Sequence, residues 1–171
     1  MIDLKIIRKS PGWLSNLCRE MREKRVFKNL KVVVAGVLEG AGLHPSNDGG
    51  EAISYAEIAQ RNEFGYMEDN INIPERPFMR TACRKCRRKL VKEIQKNLNS
   101  YMLGNSGTAE VSTRLGEFLR EQIKNSIWTW TDPANAAMTI RRKGFNDPLI
   151  ETSYLWGVIN WKQELEAPKT K

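Results

Sequence analysis

No apolar run in this chain approaches the roughly 20 residues that a membrane-spanning helix needs; the longest, "VVVAGVL", covers 32–38. Histidine is nearly missing: His44 stands alone, with no second ligand near it in sequence, so no metal role is expected for it. Three cysteines, an odd number, argue against a disulfide framework and for the reduced thiols of a cytosolic protein. The opening "MIDLKIIRKS" lacks the apolar stretch of a secretory leader, and none is expected. Missing too are G-x-S-x-G, H-E-x-x-H and a glycine loop closed by G-K-[ST]. No histidine lies beside a candidate nucleophile, and no paired-carboxylate signature is present. We therefore expect no catalysis and no cofactor, and we expect Glu63, Glu68 and Asp69 to be solvated acids around a loop.

Acid is also lacking from one stretch in particular. From Arg76 to Lys92 there are eight basic residues, Arg76, Arg80, Arg84, Lys85, Arg87, Arg88, Lys89 and Lys92, and no Asp or Glu. Of 28 Lys and Arg, the remaining 20 balance the 20 Asp and Glu, so the net charge of +8 resides in this segment. Such a concentration favours an anionic neighbour. On a helix these side chains sweep a broad arc that suits phosphates, the usual sequence-independent contact. With all eight on duplex phosphates, log K would fall against log salt with a slope of about −7. The alternatives are plain solvation or pairing with acids on a neighbouring subunit. No helix-turn-helix, RNA-recognition or zinc-finger signature accompanies the run.

What is present reads as one α+β domain over 1–166, with a mobile loop at 39–52 and a flexible tail at 167–171. A strand at 2–8 and a helix at 11–27, opened by Ser10-Pro11, are expected first. "KVVVAGVL" (31–38) is β-branched and apolar on both faces, as a central strand would be. The glycine-rich "EGAGLHPSNDGGEA" that follows has no periodicity. Ser54 with Glu57 forms a capping box, Ile53 with Ile58 a hydrophobic staple, and Gly65 a stop for the helix between them. A loop then leads to Pro74.

A long helix is predicted from about Pro77 to Leu103, its apolar stripe made by Met79, Cys83, Cys86, Leu90, Ile94, Leu98 and Tyr101. A second, about 108–130, presents Val111, Leu115, Phe118, Leu119, Gln122, Ser126, Ile127 and Trp130, and the short connection makes the two an antiparallel αα-hairpin. Cys83 and Cys86 form a CxxC without a second pair, so they are expected to pack as small hydrophobes in the stripe rather than to bind zinc. Asp132-Pro133 and Asp147-Pro148 each open a short helix, closed by Gly144 and Gly157. "VINWKQELE" (158–166) alternates as a strand. Trp128, Trp130, Trp156 and Trp161 are expected in the core first and at an interface second.

Three stretches in this order carry a resemblance. "YAEIAQRNEFG" has Ala59, Asn62, Glu63, Phe64 and Gly65; "IPERPFMR" has Ile73, Pro74, Arg76, Pro77 and Phe78; "MTIRRKGFNDPLIETSYL" has Thr139, Lys143, Gly144, Pro148, Leu149, Ile150, Thr152 and Leu155. Together they resemble the tail-completion proteins of long-tailed bacteriophages, also described as virion morphogenesis, minor tail, neck or tail-terminator-like proteins. That family shows A-x-x-N-E-F-G, then I-P-x-R-P-F, then T-x-x-x-K-G followed by P-L-I-D-T-G-x-L. The likeness extends over roughly residues 30–165. The family's D-T-G reads Glu151-Thr152-Ser153 here, and neither the CxxC nor the basic run belongs to its pattern.

The resemblance implies a non-enzymatic structural protein that assembles in the host cytoplasm and ends in the virion, at the head–tail junction. It implies a homo-oligomeric ring of six or twelve copies, with tail-tube and head-connector proteins as neighbours and no membrane partner. The basic segment would then face genomic DNA in the channel or an acidic surface on an adjacent ring. A free-standing nucleic-acid-binding module using the basic helix 76–92 is the alternative.

Overall fold

The computed structural model describes residues 32–44, 52–68, 71–150 and 154–164. The strand expected at 2–8, the helix at 11–27 and the tail at 167–171 lie outside them. The described elements run β1 (Val32–Val37), β2 (Leu43–His44), β3 (Ile53–Ser54), α1 (Tyr55–Phe64), β4 (Tyr66–Glu68), β5 (Ile71–Ile73), α2 (Phe78–Met102), α3 (Thr108–Trp128), α4 (Ala137–Lys143), α5 (Tyr154–Val158) and β6 (Ile159–Glu164). The class is α+β: a long αα-hairpin and several short helices pack with small antiparallel sheets.

The hairpin forms because each long helix has one face that water disfavours. Phe78, Thr81, Ala82, Cys86, Asn97 and Leu98 are buried on α2, and Val111, Ser112, Gly116, Leu119, Ile123, Ser126 and Ile127 on α3. Several of these seam residues are small or polar, and their side chains are hydrogen-bonded to backbone carbonyls. Ser112 Oγ donates to Thr108 O at 3.1 Å and Asn97 Nδ2 to Glu93 O at 2.7 Å. Ser126 Oγ donates to Phe78 O at 2.9 Å, which ties the last turn of α3 to the first residue of α2. Phe78, Ile123 and Ile127 continue into a core with Ala59, Ala82, Leu149, Ile150, Leu155 and Ile159. Side chains as fully buried as Phe78 each contribute about 1.5–3 kcal/mol.

β1 and β6 pair antiparallel, from Val32 opposite Glu164 to Val37 opposite Ile159, and α3 lies against both strands. Gly116 permits that approach. A Cβ at this position would fall 2.2 Å from Trp161 Cδ2, so the indole occupies the space a side chain would take. Glycine inside a helix costs about 1 kcal/mol relative to alanine; here the packed indole offsets it.

Several expectations need correction. Among the described residues β1 pairs with β6 alone, and its side chains are half-buried rather than buried on both faces as expected. Inside the segment expected to be a loop, Leu43–His44 pairs with Ile53–Ser54. The stretch expected as a loop to Pro74 is a hairpin, β4 against β5, with Tyr66 opposite Ile73. Its residues neither alternate clearly nor carry an Asn-Gly turn, so nothing local announced it. Ser54 Oγ does accept from Glu57 N at 3.1 Å, but the Glu57 carboxylate turns to Arg61 at 2.7 Å instead of completing the capping box.

Asp132-Pro133 opens no helix. Its peptide bond is cis, and α4 begins four residues later behind Ala136. Gly144 does close α4, in the left-handed region at φ 79. Gly157 lies within α5 rather than after it. Trp128 and Trp156 are exposed, whereas Trp130 packs against the core.

Candidate assembly joint and basic helix face

The first two family-like stretches meet at the start of α2. A helix start leaves backbone N–H groups without acceptors, and Pro77, at the N-cap of α2, offers no side-chain acceptor. Glu63, on the last turn of α1, supplies one from sixteen residues away: Oε2 accepts from Met79 N at 2.9 Å and Oε1 from Arg80 N at 3.0 Å. A carboxylate there also suits the positive end of the helix dipole. Glu63 is 5% exposed, so the expectation of a solvated acid is overturned.

Arg80 completes the pair. Its Nε donates to Glu63 Oε1 at 3.0 Å, and its Nη2 reaches Glu75 Oε1 at 2.6 Å and the Glu63 carbonyl. Hydrogen bonds to Glu63 first and Glu75 second raise its pKa. The guanidinium also stands 4.9 Å from the ring centre of the exposed Phe64. The chain folds back tightly here. Arg76 N donates to Asn62 O at 2.6 Å, and Gly65, at φ 74, lies where a Cβ would come within 3.2 Å of Glu75 N and 3.3 Å of Ile73 O. Asn62 Nδ2 is held by Ile58 O at 2.8 Å.

Arg76 points the other way. It is 5% exposed, and its Nε and Nη2 donate to Pro133 O and Ala134 O, both at 3.0 Å. Burial lowers its pKa, without threatening the charge of a guanidinium. Arg76 is thus a strut inside the fold and Arg80 a partner of Glu63 and Glu75. Burial removes Arg76 from the expected contact surface, whereas Arg80 stays half-exposed with its charge paired.

The third stretch packs against the first two. Lys143 Nζ donates to Asp147 O at 2.8 Å and Gly144 N to Ile140 O at 2.8 Å, which shape the turn into the buried Pro148, Leu149 and Ile150. Leu149, Ile150 and Leu155 share the core with Phe78 of the second stretch. Asn62 of the first joins Thr139, Lys143, Pro148 and Leu149 around a pocket of about 270 Å³. His44, Tyr55 and Tyr154 form another part of its wall, with ring centres 5.8–6.1 Å apart. No acidic residue lines this pocket, and Asn135 Nδ2, buried in its wall, has no hydrogen-bond partner. Sequence reasoning missed the pocket because its walls come from four separated segments. Thr152 lies outside the described residues.

Six cations remain on the outer face of α2: Arg84, Lys85, Arg87, Arg88, Lys89 and Lys92, all exposed. The CxxC splits across the helix. Cys86 is buried, while Cys83 is exposed rather than inside the apolar stripe. Desolvation raises the pKa of both thiols, with Glu63 adding to it at Cys83 and Cys83 adding to it at Cys86. Both are therefore poor thiolates. Among the described residues no three His, Cys, Asp or Glu side chains come together, and no helix is long and apolar enough to cross a membrane. No protein-family model, curated protein or solved structure matches the chain significantly.

Proposed function

We propose that this chain is a non-enzymatic structural component of a long-tailed bacteriophage, a tail-completion or neck protein that closes into a ring at the head–tail junction. The observation that carries the reading is how the three family-like stretches are used. Their described residues cap α2, brace it, turn the chain or fill the core, as Glu63, Arg76, Gly144 and Phe78 illustrate. A set of motif residues devoted to architecture fits a protein whose work is shape.

A ring needs two unlike surfaces that meet head to tail. Two exposed apolar regions offer themselves: Phe64 with Met67 beside the joint, and Trp128 with Trp156 on α3 and α5. In the second, Lys124 stands 4.1 Å from the Trp156 ring centre. The ring would contact the tail tube on one side and the head connector on the other.

The test is assembly without the chain. Particles made in its absence should accumulate as separate filled heads and tails, and supplying the chain should restore joining. Joined, infective particles formed without it would overturn the reading.

A further inference from the structure

We infer that the outer face of α2 holds duplex DNA by its phosphates, without regard to base sequence. Arg84, Lys85, Arg87, Arg88, Lys89 and Lys92 are exposed, and among the described residues none of them pairs with an acid. Elsewhere among the described residues, five cations, Arg61, Arg80, Arg114, Arg120 and Lys162, each sit on a glutamate. Arg84 makes one weak contact, Nη2 to Thr81 Oγ1 at 3.4 Å. The six are left unneutralised on one rigid rod.

Charge density selects the partner. From 84 to 92 the helix rises about 12 Å, at about 1.5 Å per residue, which is about one cation per 2 Å. Duplex DNA carries about one negative charge per 1.7 Å of its axis, a close match. Protein surfaces intersperse both signs and seldom offer such a row. Insertion into a membrane surface needs an apolar face, and that of α2 is already buried against α3, which leaves only screened headgroup attraction. Single strands are held by stacking on aromatic rings, and residues 84–92 contain none. What the face offers is cations alone, and phosphate contacts position a duplex without reading it.

The experiment titrates the purified full chain with two fluorescent 20-base-pair duplexes of unrelated sequence, from 50 to 200 mM salt. Both should bind alike, with a slope of log K on log salt of about −5 per protomer, or about a thousandfold loss over that range. Replacing Lys89→Gln and Lys92→Gln together should reduce the slope by about 2 and leave the unfolding midpoint unchanged. A slope between −2 and zero, a slope indifferent to those two substitutions, tighter binding to single-stranded DNA of equal length, or equal competition by polyglutamate would each overturn the inference. It does not depend on the ring. Sedimentation of the same sample separates the two: a monomer with this slope removes the ring and keeps the inference, and a ring that ignores duplex does the reverse.

Discussion

Glu63 meets Arg80 twice, accepting from its backbone N–H and from its guanidinium Nε, both at 3.0 Å. One carboxylate thereby caps a 25-residue helix and fixes the side chain that locks the cap to it. Because the helix begins at a proline, it has no cap of its own. Glu63→Ala should therefore cost about 2–3 kcal/mol in urea unfolding, the sum of a lost cap and a lost charged hydrogen bond. Glu63→Gln keeps an acceptor and should cost roughly half as much. Equal losses for both would mean that the cap contributes nothing beyond packing.

Arg76 differs from the cations near it in sequence because it is inside. Arg76→Ala orphans the Pro133 and Ala134 carbonyls and should destabilise by about 2–4 kcal/mol. Lysine cannot match the two-pronged donor, so Arg76→Lys should cost nearly as much. Lys89→Gln, on the exposed face, should stay within about 0.5 kcal/mol of the parent. Unfolding midpoints in urea decide the order.

Gly116→Ala improves helix propensity on paper and should still destabilise by about 1–3 kcal/mol, since the new Cβ collides with the Trp161 indole. The indole would have to leave the face of α3, so tryptophan fluorescence should shift to the red as stability falls. A stabilised variant with unchanged emission would contradict this packing.

The thiols predict an alkaline effect. Both folded pKa values lie above the ordinary 9.0, so the unfolded chain releases these protons first as pH rises. Their contribution to stability is complete below about pH 9 and lost as pH climbs through the folded values. Stability of the parent should fall more steeply above pH 9 than that of Cys83→Ala/Cys86→Ala. Alkylation by iodoacetamide at pH 8 should be slow at Cys83 and slower at the buried Cys86.

Periodic features of this fold were legible in the sequence. The helix expected from Pro77 to Leu103 is Phe78–Met102, the one from 108 is Thr108–Trp128, and the final strand falls where alternation placed it. Burial of a long amphipathic face leaves a repeating pattern that neighbours in sequence reveal. What was hidden depends on partners distant in sequence. Glu63 looks like a surface acid until the start of α2 stands beside it. Arg76 and Arg80 look like members of a basic run until Pro133 and Glu63 claim them. Asp132-Pro133 looks like a helix start, but its carbonyl is occupied by Arg76 and α4 waits until Ala137. Ser112 and Gly116 were missed on α3 for a related reason: small and polar residues carry a close helix seam but little hydrophobic signal. The basic face itself was legible as a row of residues, though only the fold reduces it from eight cations to six.

The central claim is a location, and immunogold electron microscopy of intact particles addresses it directly. An antibody raised against this chain should label a single site per particle, at the junction where the tail meets the head. Label on the capsid shell, at the distal end of the tail, or on no particle at all would contradict the account.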